Sequence, residues 1–342
     1  MAKGPGAGVT DGSEPTSADV EMMREAIAAA AGVRHETSPN PWVGCVIVPD
    51  GDAPAAIGAT QPPGGPHAEA VALDLAAPHA RGATAYVTLE PCAHTGRTPP
   101  CADALVAAGV ARVVVGVEDP DPRVAGRGIA RLRDAGIEVV VGIAAEEISD
   151  QLAPYLKHRR TGRPWVVLKL AASLDGRTAT ADGASRWITG PLARADAHRL
   201  RAESDAVVVG AGTVRADDPA LTVRDAAGRD PLRVVLGTAP VGAAVHPALE
   251  LSGPLEGVLD ELGRRDVLQV LVEGGATVAG AFHRSGLVDR YVFYVAPALF
   301  GGDDARPMFT GGGAPSMDEL WRGRVVSVGQ LGPDLRIELA AG

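Results

Sequence analysis

Cysteine is scarce in this chain, with three among 342 residues. So few thiols make no disulfide framework, and a reducing cytoplasm is the expected compartment. Basic residues are in deficit, 32 Lys and Arg against 42 Asp and Glu, giving a net charge of -10. A phosphate backbone demands a basic surface, so nucleic acid is not an expected partner. Aromatics make up only 4%, which also argues against a stacking channel for single strands. No apolar run approaches the roughly eighteen residues of a membrane span, so no membrane partner is expected. The first fifteen residues are rich in Gly, Ala and Ser and lack the apolar centre of a signal peptide. Residues 1–16 therefore read as a disordered tail.

What is abundant is Ala, Val and Gly, within a hydrophobic fraction of 46%. That composition suits α/β layers of Val-rich strands and Ala-rich helices, and the length favours two domains. A helix is expected over 18–31, capped by Thr16 or Ser17, striped with Val20, Met23, Ile27 and Ala30, and ended by Gly32. A buried strand follows over 43–49, then a Pro/Gly-rich loop over 51–65. Helices over 68–77, 102–108 and 126–135 then alternate with strands over 85–89, 112–117 and 137–141. A polar helix over 146–158 leads into Arg159-Arg-Thr-Gly-Arg-Pro164, which makes 151–164 the linker between domains over 17–150 and 165–340. The second half repeats the grammar, with strands over 165–171, 206–209, 232–236, 267–272 and 291–296. Helices lie over 191–203 and from Gly275 through Ser285, and a last strand pattern lies within 325–339.

Pro66-His67-Ala68-Glu69 opens a helix, and Pro91-Cys92 and Pro100-Cys101 follow. One imidazole and two thiolates are the ligands of a catalytic zinc whose fourth position stays open. Zinc deaminases carry H-x-E followed by P-C-x-x-C, with the Glu as general acid and base and not as a ligand. His67 and Glu69 fit the first half. The cysteines depart from the second, because eight residues separate them. Each follows a proline, and Cys101 sits where a helix begins, a place that stabilises a thiolate. The intervening segment 93–99 is expected as a polar loop beside the metal. Alone, any one of these residues reads as core; together with Glu69 they read as a site. Cys45, in mid-strand, stays with the core. The chemistry implied is hydrolytic deamination of a pyrimidine-like ring, with Glu69 carrying the proton.

Several segments are more specific. Thr37-Ser-Pro-Asn-Pro-Trp-Val-Gly-Cys-Val-Ile-Val48, Gly65-Pro-His-Ala-Glu69, Leu89-Glu-Pro-Cys-Ala-His-Thr-Gly-Arg-Thr-Pro-Pro-Cys101 and Asp119-Pro-Asp-Pro-Arg-Val-Ala-Gly-Arg-Gly128 together resemble the bifunctional riboflavin-biosynthesis deaminase–reductase family. The wide cysteine spacing is that family's form. Val167-Leu-Lys-Leu-Ala-Ala-Ser-Leu-Asp-Gly-Arg-Thr-Ala179, Ser185-Arg-Trp-Ile-Thr-Gly190, Gly210-Ala-Gly-Thr-Val-Arg-Ala-Asp-Asp-Pro-Ala-Leu-Thr-Val-Arg224 and Val272-Glu-Gly-Gly275 are similar to its reductase half. The likeness spans about residues 18 to 340 and implies a cytidine-deaminase-like three-layer α/β/α domain followed by a dihydrofolate-reductase-like α/β domain. That second fold uses NADPH without a G-x-G-x-x-G fingerprint, and none is present here.

The residues alone say less about this half. A strand running through Gly274-Gly275 into a helix presents amides and a positive dipole to a phosphate, although the same turn also occurs without a ligand. Arg201 and Arg224 suit a phosphate through their planar guanidinium groups. The resemblance implies more. Asn40 and His94 would contact the base in the deaminase. Ser185, Arg201, Leu221, Arg224 and Glu273 would contact the reductase substrate. Ala171, Trp187, Thr213, Asp217, Thr238, Gly275, Ala276, Thr277, Val278, Ala279, Gly280 and Ala281 would lie near NADPH. Lys169 and Asp217 are the candidates for supporting ring opening and hydride transfer. Two departures stand out. Thr60 occupies the place of a usual histidine, and the chain between Leu236 and Val267 reads as if a strand–helix unit were trimmed.

The expected protein is a zinc- and NADPH-dependent enzyme. It deaminates the diaminopyrimidinone ribosylamino phosphate and then reduces its ribosyl chain, acts on phosphorylated pyrimidines and forms a homo-oligomer. A working deaminase fused to a degenerate reductase, and a zinc-stabilised binding protein without catalysis, remain alternatives.

Overall fold

The computed structural model describes residues 16–93, 100–224 and 226–341. The chain divides into two units, Met1–Thr161 and Gly162–Gly342. The segment 1–15 lies outside the described residues.

The first unit opens with α1, Ser17–Thr37. Thr16 and Asp19 form a capping box at its start, each side chain bonding the other's backbone amide. The helix passes through Gly32, where the sequence pattern ends it. Gly32 adopts no left-handed conformation, and the buried stripe of Met23, Ala26, Ile27 and Ala30 outweighs the roughly 1 kcal/mol that a mid-helix glycine costs. The stop comes instead at Ser38, whose neighbour Pro39 disfavours helical backbone.

The sheet of this unit has the order β2-β1-β3-β4-β5, from β1 (Gly44–Val48), β2 (Ala56–Ala59), β3 (Thr84–Leu89), β4 (Arg112–Val117) and β5 (Glu138–Val141). β1 runs antiparallel to both neighbours, and β3, β4 and β5 are parallel. β2 falls inside the stretch read as loop, since its four residues are hidden among prolines and glycines. Gly58 makes the strand possible, because a Cβ there would lie 2.3 Å from Ala68 O. The helices are α2 (Ala68–Ala76), α3 (Cys101–Ala108), α4 (Arg127–Asp134), α5 (Ala145–Gln151) and α6 (Ala153–Thr161). The last two replace the single helix expected over 146–158. Pro154 has no amide to offer and crowds the carbonyl four residues back, so the helix breaks at Leu152. The segment read as linker is therefore mostly helical, and the division between units falls at the end of α6.

The second unit holds β6 (Trp165–Ser173), β7 (Arg177–Ala179), α7 (Pro191–Ala202), β8 (Ala206–Gly210), α8 (Ala211–Asp217) and β9 (Leu232–Leu236). Then come β10 (Leu249–Leu251), α9 (Leu255–Arg264), β11 (Gln269–Val272), α10 (Ala276–Arg284), β12 (Arg290–Ala296), β13 (Arg306–Pro307), β14 (Gly323–Leu331) and β15 (Asp334–Ala341). Eight strands form one sheet in the order β10-β9-β8-β11-β6-β12-β15-β14. The first six are mutually parallel, and β15 and β14 close it as an antiparallel pair. Apolar clusters cover both faces, one around Val208, Val270 and Phe282, the other around Val207, Leu271 and Tyr294. Strands buried on both faces read as continuous Val-rich runs, which is why they were legible. The region between Leu236 and Val267, read as shortened, still carries regular structure. It holds β10 and α9, with Val258, Leu259 and Leu262 buried. A three-residue strand and a helix containing Gly257 and Gly263 gave too weak a pattern to see.

Candidate functional site

In the first unit three elements bring the expected ligands together. His67 is the N-cap residue of α2, Cys92 follows the carboxyl end of β3, and Cys101 is the first residue of α3. His67 Nδ1 lies 3.2 Å from Cys101 Sγ and 3.7 Å from Cys92 Sγ. All three donor atoms lie within 4.8 Å of one another, and no other such group is found among the described residues. The Cys101 amide at the start of α3 donates to Cys92 Sγ at 3.4 Å. The Cys101 side chain, hydrogen-bonded to Cys92, pulls the Cys92 thiol well below its ordinary range against the effect of burial, and His67 and the Cys101 amide help. Glu69, 3% exposed in the first turn of α2, is pushed up to about 7 by burial. One imidazole and two sulfurs converging from three elements, with no fourth protein donor among the described residues, fit a zinc with an open position.

Asn40 is half-buried between α1 and β1. Its amide donates to Thr37 O at 2.9 Å. His94 and the rest of 94–99 lie outside the described residues. Cys45 is fully buried in mid-β1, as core. Thr60 is engaged at the end of β2, accepting at Oγ1 from the Val43 amide at 3.0 Å.

In the second unit the expected residues collect at the carboxyl ends of parallel strands, where open α/β sheets bind ligands. Lys169 and Ala171 share one face of β6, α8 with Thr213 and Asp217 follows β8, Thr238 follows β9, and Glu273 with Gly275 follows β11. Glu273 meets the Arg201 guanidinium of α7 and lies 3.7 Å from Lys169 Nζ. Burial raises the Glu273 carboxyl, but Lys169 and Arg201 outweigh it and hold it at about 2. Arg201 Nη1 also donates to Thr222 O at 3.1 Å, which ties in the loop of Leu221 and Arg224. Leu221 itself is 3% exposed, its side chain in the core, so only its backbone can face a ligand. Arg224 and Thr238 are exposed, Ser185 is half-buried, and Trp187 is 68% exposed under the Arg194 guanidinium.

Gly275 is the N-cap residue of α10, and no side chain caps that helix. Its amide donates to Thr213 Oγ1 at 2.8 Å, and the Gly210 amide donates to Gly274 O at 3.2 Å. The two strand–helix turns therefore touch through glycines. The first-turn amides of Ala276, Thr277 and Val278 head a nine-residue helix, an arrangement suited to a pyrophosphate. Ala279 and Gly280 are buried, and a Cβ at Gly280 would lie 2.2 Å from Thr310 O, so this end of the segment serves packing. Arg186, which the sequence reading passed over, donates from Nη2 to Asp217 O at 2.7 Å and ties the Ser185 and Trp187 segment to α8. Its position between two expected contacts was the only available signal.

Residues 16–117 match the cytidine and deoxycytidylate deaminase zinc-binding region, and 164–337 match the RibD C-terminal domain. Riboflavin biosynthesis protein RibD of Escherichia coli K12 is 42% identical over 364 residues, covering 94% of this chain and 99% of its own. The chain belongs to the RibD family. Among solved structures, Acinetobacter baumannii RibD (form 1) is 42% identical with a TM-score of 0.88, covering 95% of this chain and 99% of its own. A Thermotoga maritima protein described as a diaminohydroxyphosphoribosylaminopyrimidine deaminase/5-amino-6-(5-phosphoribosylamino)uracil reductase is 34% identical with a TM-score of 0.87, at the same coverages of 95% and 99%. The RibD match makes the first unit cytidine-deaminase-like and the second dihydrofolate-reductase-like, a deaminase and a reductase in one chain. No helix among the described residues is long and apolar enough to cross a membrane.

Proposed function

We propose that this RibD-family chain performs two consecutive steps of riboflavin synthesis. The first is hydrolytic deamination of 2,5-diamino-6-(5-phosphoribosylamino)pyrimidin-4-one. The second is NADPH-dependent reduction of the ribosyl chain of 5-amino-6-(5-phosphoribosylamino)uracil. The observation that carries the reading is the convergence of His67, Cys92 and Cys101 beside buried Glu69.

In the first step His67, Cys92 and Cys101 hold zinc, which when bound supplies Lewis acidity and a water acidified toward neutrality. Glu69 accepts the first proton of the attacking water and passes it to the ring nitrogen, then carries the second, from the hydroxyl so formed, to the leaving amine. The C–N bond breaks as the C–O bond forms, and water plus the aminopyrimidine yields the carbonyl and ammonia. Asn40 and His94 orient the base. In the second step Ser185, Glu273 and the 221–224 loop hold the substrate, with Arg224 on its phosphate. The α10 amino end, Thr213, Trp187, Thr238 and Ala171 hold NADPH, the hydride source. Lys169 and Asp217 supply polar support to ring opening. The proton for the sugar oxygen comes from this polar group while the hydride goes to carbon.

The test measures ammonia release from the diaminopyrimidine phosphate and NADPH oxidation on its deaminated product, with bound zinc quantified alongside. Both turnovers and about one zinc per chain are expected. Ammonia release without NADPH oxidation leaves a deaminase beside a degenerate reductase. Zinc binding without either turnover overturns the enzyme reading.

A further inference from the structure

Glu90 stands between the end of β3 and Cys92 and is 4% exposed. Both its carboxylate oxygens are taken up by main-chain amides. Oε2 accepts from Asp119 at 3.2 Å and Gly126 at 2.9 Å; Oε1 accepts from Gly128 at 2.8 Å and Ile129 at 3.2 Å. Three of these amides belong to the start of α4, whose own N-cap residue, Gly126, has no side chain to offer. A carboxylate from another segment thus caps the helix, where an anion is favoured.

The contact extends to Pro91. A Cβ at Gly128 would lie 1.8 Å from Pro91 O, so the two backbones meet with no room for a side chain. The Glu90 amide donates to Val117 O at 2.9 Å, which joins the arm to the end of β4. Proline then fixes the backbone for the one step that remains to Cys92. On the far side, Cys92 O accepts from the Ala102 amide at 3.1 Å and its Sγ from Cys101. The ligand is suspended between two anchors, α3 behind it and α4 ahead of it through Glu90.

The geometry points to Glu90 as the positioning residue for the metal centre. Its carboxylate clamps the Pro91-Cys92 arm onto α4 and so fixes where the Cys92 sulfur meets a metal. The inference rests on the zinc reading of His67, Cys92 and Cys101. Groups that hold a metal ligand in place act in this way, by orienting a ligand they do not replace. A carboxylate suits the task because its two oxygens offer four acceptor sites. An amide offers one accepting oxygen, and its NH2 would face two N–H donors left without partners.

The test uses the full chain, stripped of metal and reloaded with cobalt(II), whose thiolate charge-transfer and ligand-field bands report the geometry at sulfur. Zinc affinity is read by competition with a chromophoric chelator. Glu90→Gln and the shorter Glu90→Asp should weaken zinc roughly 10- to 100-fold and shift the cobalt bands. The aspartate retains the charge but reaches fewer amides, so it reads the clamp even if the glutamine chain does not fold. Asp19→Asn is the control, because Asp19 pairs with Arg112 at the opposite end of the β3–β4 ladder. It should lower the melting temperature and leave the cobalt spectrum as it was. Glu90 variants that lose as much melting temperature as Asp19→Asn but keep wild-type bands and zinc affinity would overturn the assignment, leaving a helix cap only. A wild-type chain without thiolate–cobalt bands would instead refute the zinc reading, and this inference with it.

Discussion

Arg201 and Glu273 form a two-pronged ion pair, with Nε to Oε1 at 2.5 Å and Nη2 to Oε2 at 2.9 Å. Their side chains are only 13% and 8% exposed, and Lys169 approaches the same carboxylate. α7, β6 and the end of β11 are thereby joined at one carboxylate, and Arg201 extends the link to the 221–224 loop through Thr222 O. A guanidinium so engaged works first as an organiser of the reductase cleft. The cation we propose for a substrate phosphate is Arg224, which is exposed in the 221–224 loop.

Replacing Glu273 by glutamine strands two buried cations without their anion. Loss of one partner from a buried pair costs about 3–5 kcal/mol. Urea unfolding at neutral pH should show a loss of that size, with NADPH oxidation reduced and ammonia release retained. A midpoint unchanged from wild type would show that the pair is not structural.

The same pair sets an acid limit. The Glu273 carboxyl is held at about 2 against an ordinary 4.5, so its stabilisation is complete above about 4.5 and fades as pH falls toward 2. At about 1.4 kcal/mol per unit this amounts to at most about 3 kcal/mol. The stability gap between wild type and Glu273→Gln should narrow steadily as unfolding is measured from pH 5 downward. A constant gap over that range would rule out the ionised pair as its source.

In the first unit Asp19 accepts from Arg112 Nη1 at 2.6 Å and from Tyr86 Oη at 3.0 Å while completing the α1 capping box. The Arg112 guanidinium holds the Asp19 carboxyl well below the usual carboxylate range. Asp19→Asn should therefore destabilise at pH 7 by about 2–4 kcal/mol, joining loss of a buried ion pair to a weakened cap. The deficit should shrink below pH 4, where the Asp19 carboxyl of the unfolded chain begins to take up its proton while the folded one stays ionised. Thermal melts across that range would check it.

The metal centre was legible because its donors are chemically rare: three cysteines, two of them after prolines, and a histidine two residues before a glutamate. The parallel strands were legible because burial on both faces writes them as valine runs. β2, β10 and α9 were not, since three or four residues carry no period and glycines erase the helical one. Leu221 was expected at the ligand and is packed in the core, because a resemblance marks a position and not which of its atoms faces the cleft. Glu90 was in plain view beside Cys92, yet the amides it binds lie 29 to 39 residues further on. Only the fold brings them together.

Glu69→Gln retains the shape of the side chain and removes its basicity. Ammonia release should fall roughly 10²- to 10⁴-fold, with zinc content and NADPH oxidation unchanged. Chelation should silence the same half, and added zinc should restore it. Ammonia release surviving the substitution would remove Glu69 from the proton path.

Thr213 offers a finer probe of the second half. Its hydroxyl accepts the Gly275 amide at the turn into α10, and a Cβ on Gly275 would come within 3.2 Å of that oxygen. Thr213→Val preserves the shape and leaves the amide unpartnered, a loss of about 1–2 kcal/mol. If that turn cradles the cofactor phosphates, the KM for NADPH should rise about 5- to 30-fold, with kcat altered little, because binding to ground and transition states weakens equally. Ammonia release in the same chain serves as the internal standard. A fall in kcat at unchanged KM would instead place Thr213 at the hydride-transfer step, and no change in either would separate the α10 turn from cofactor binding.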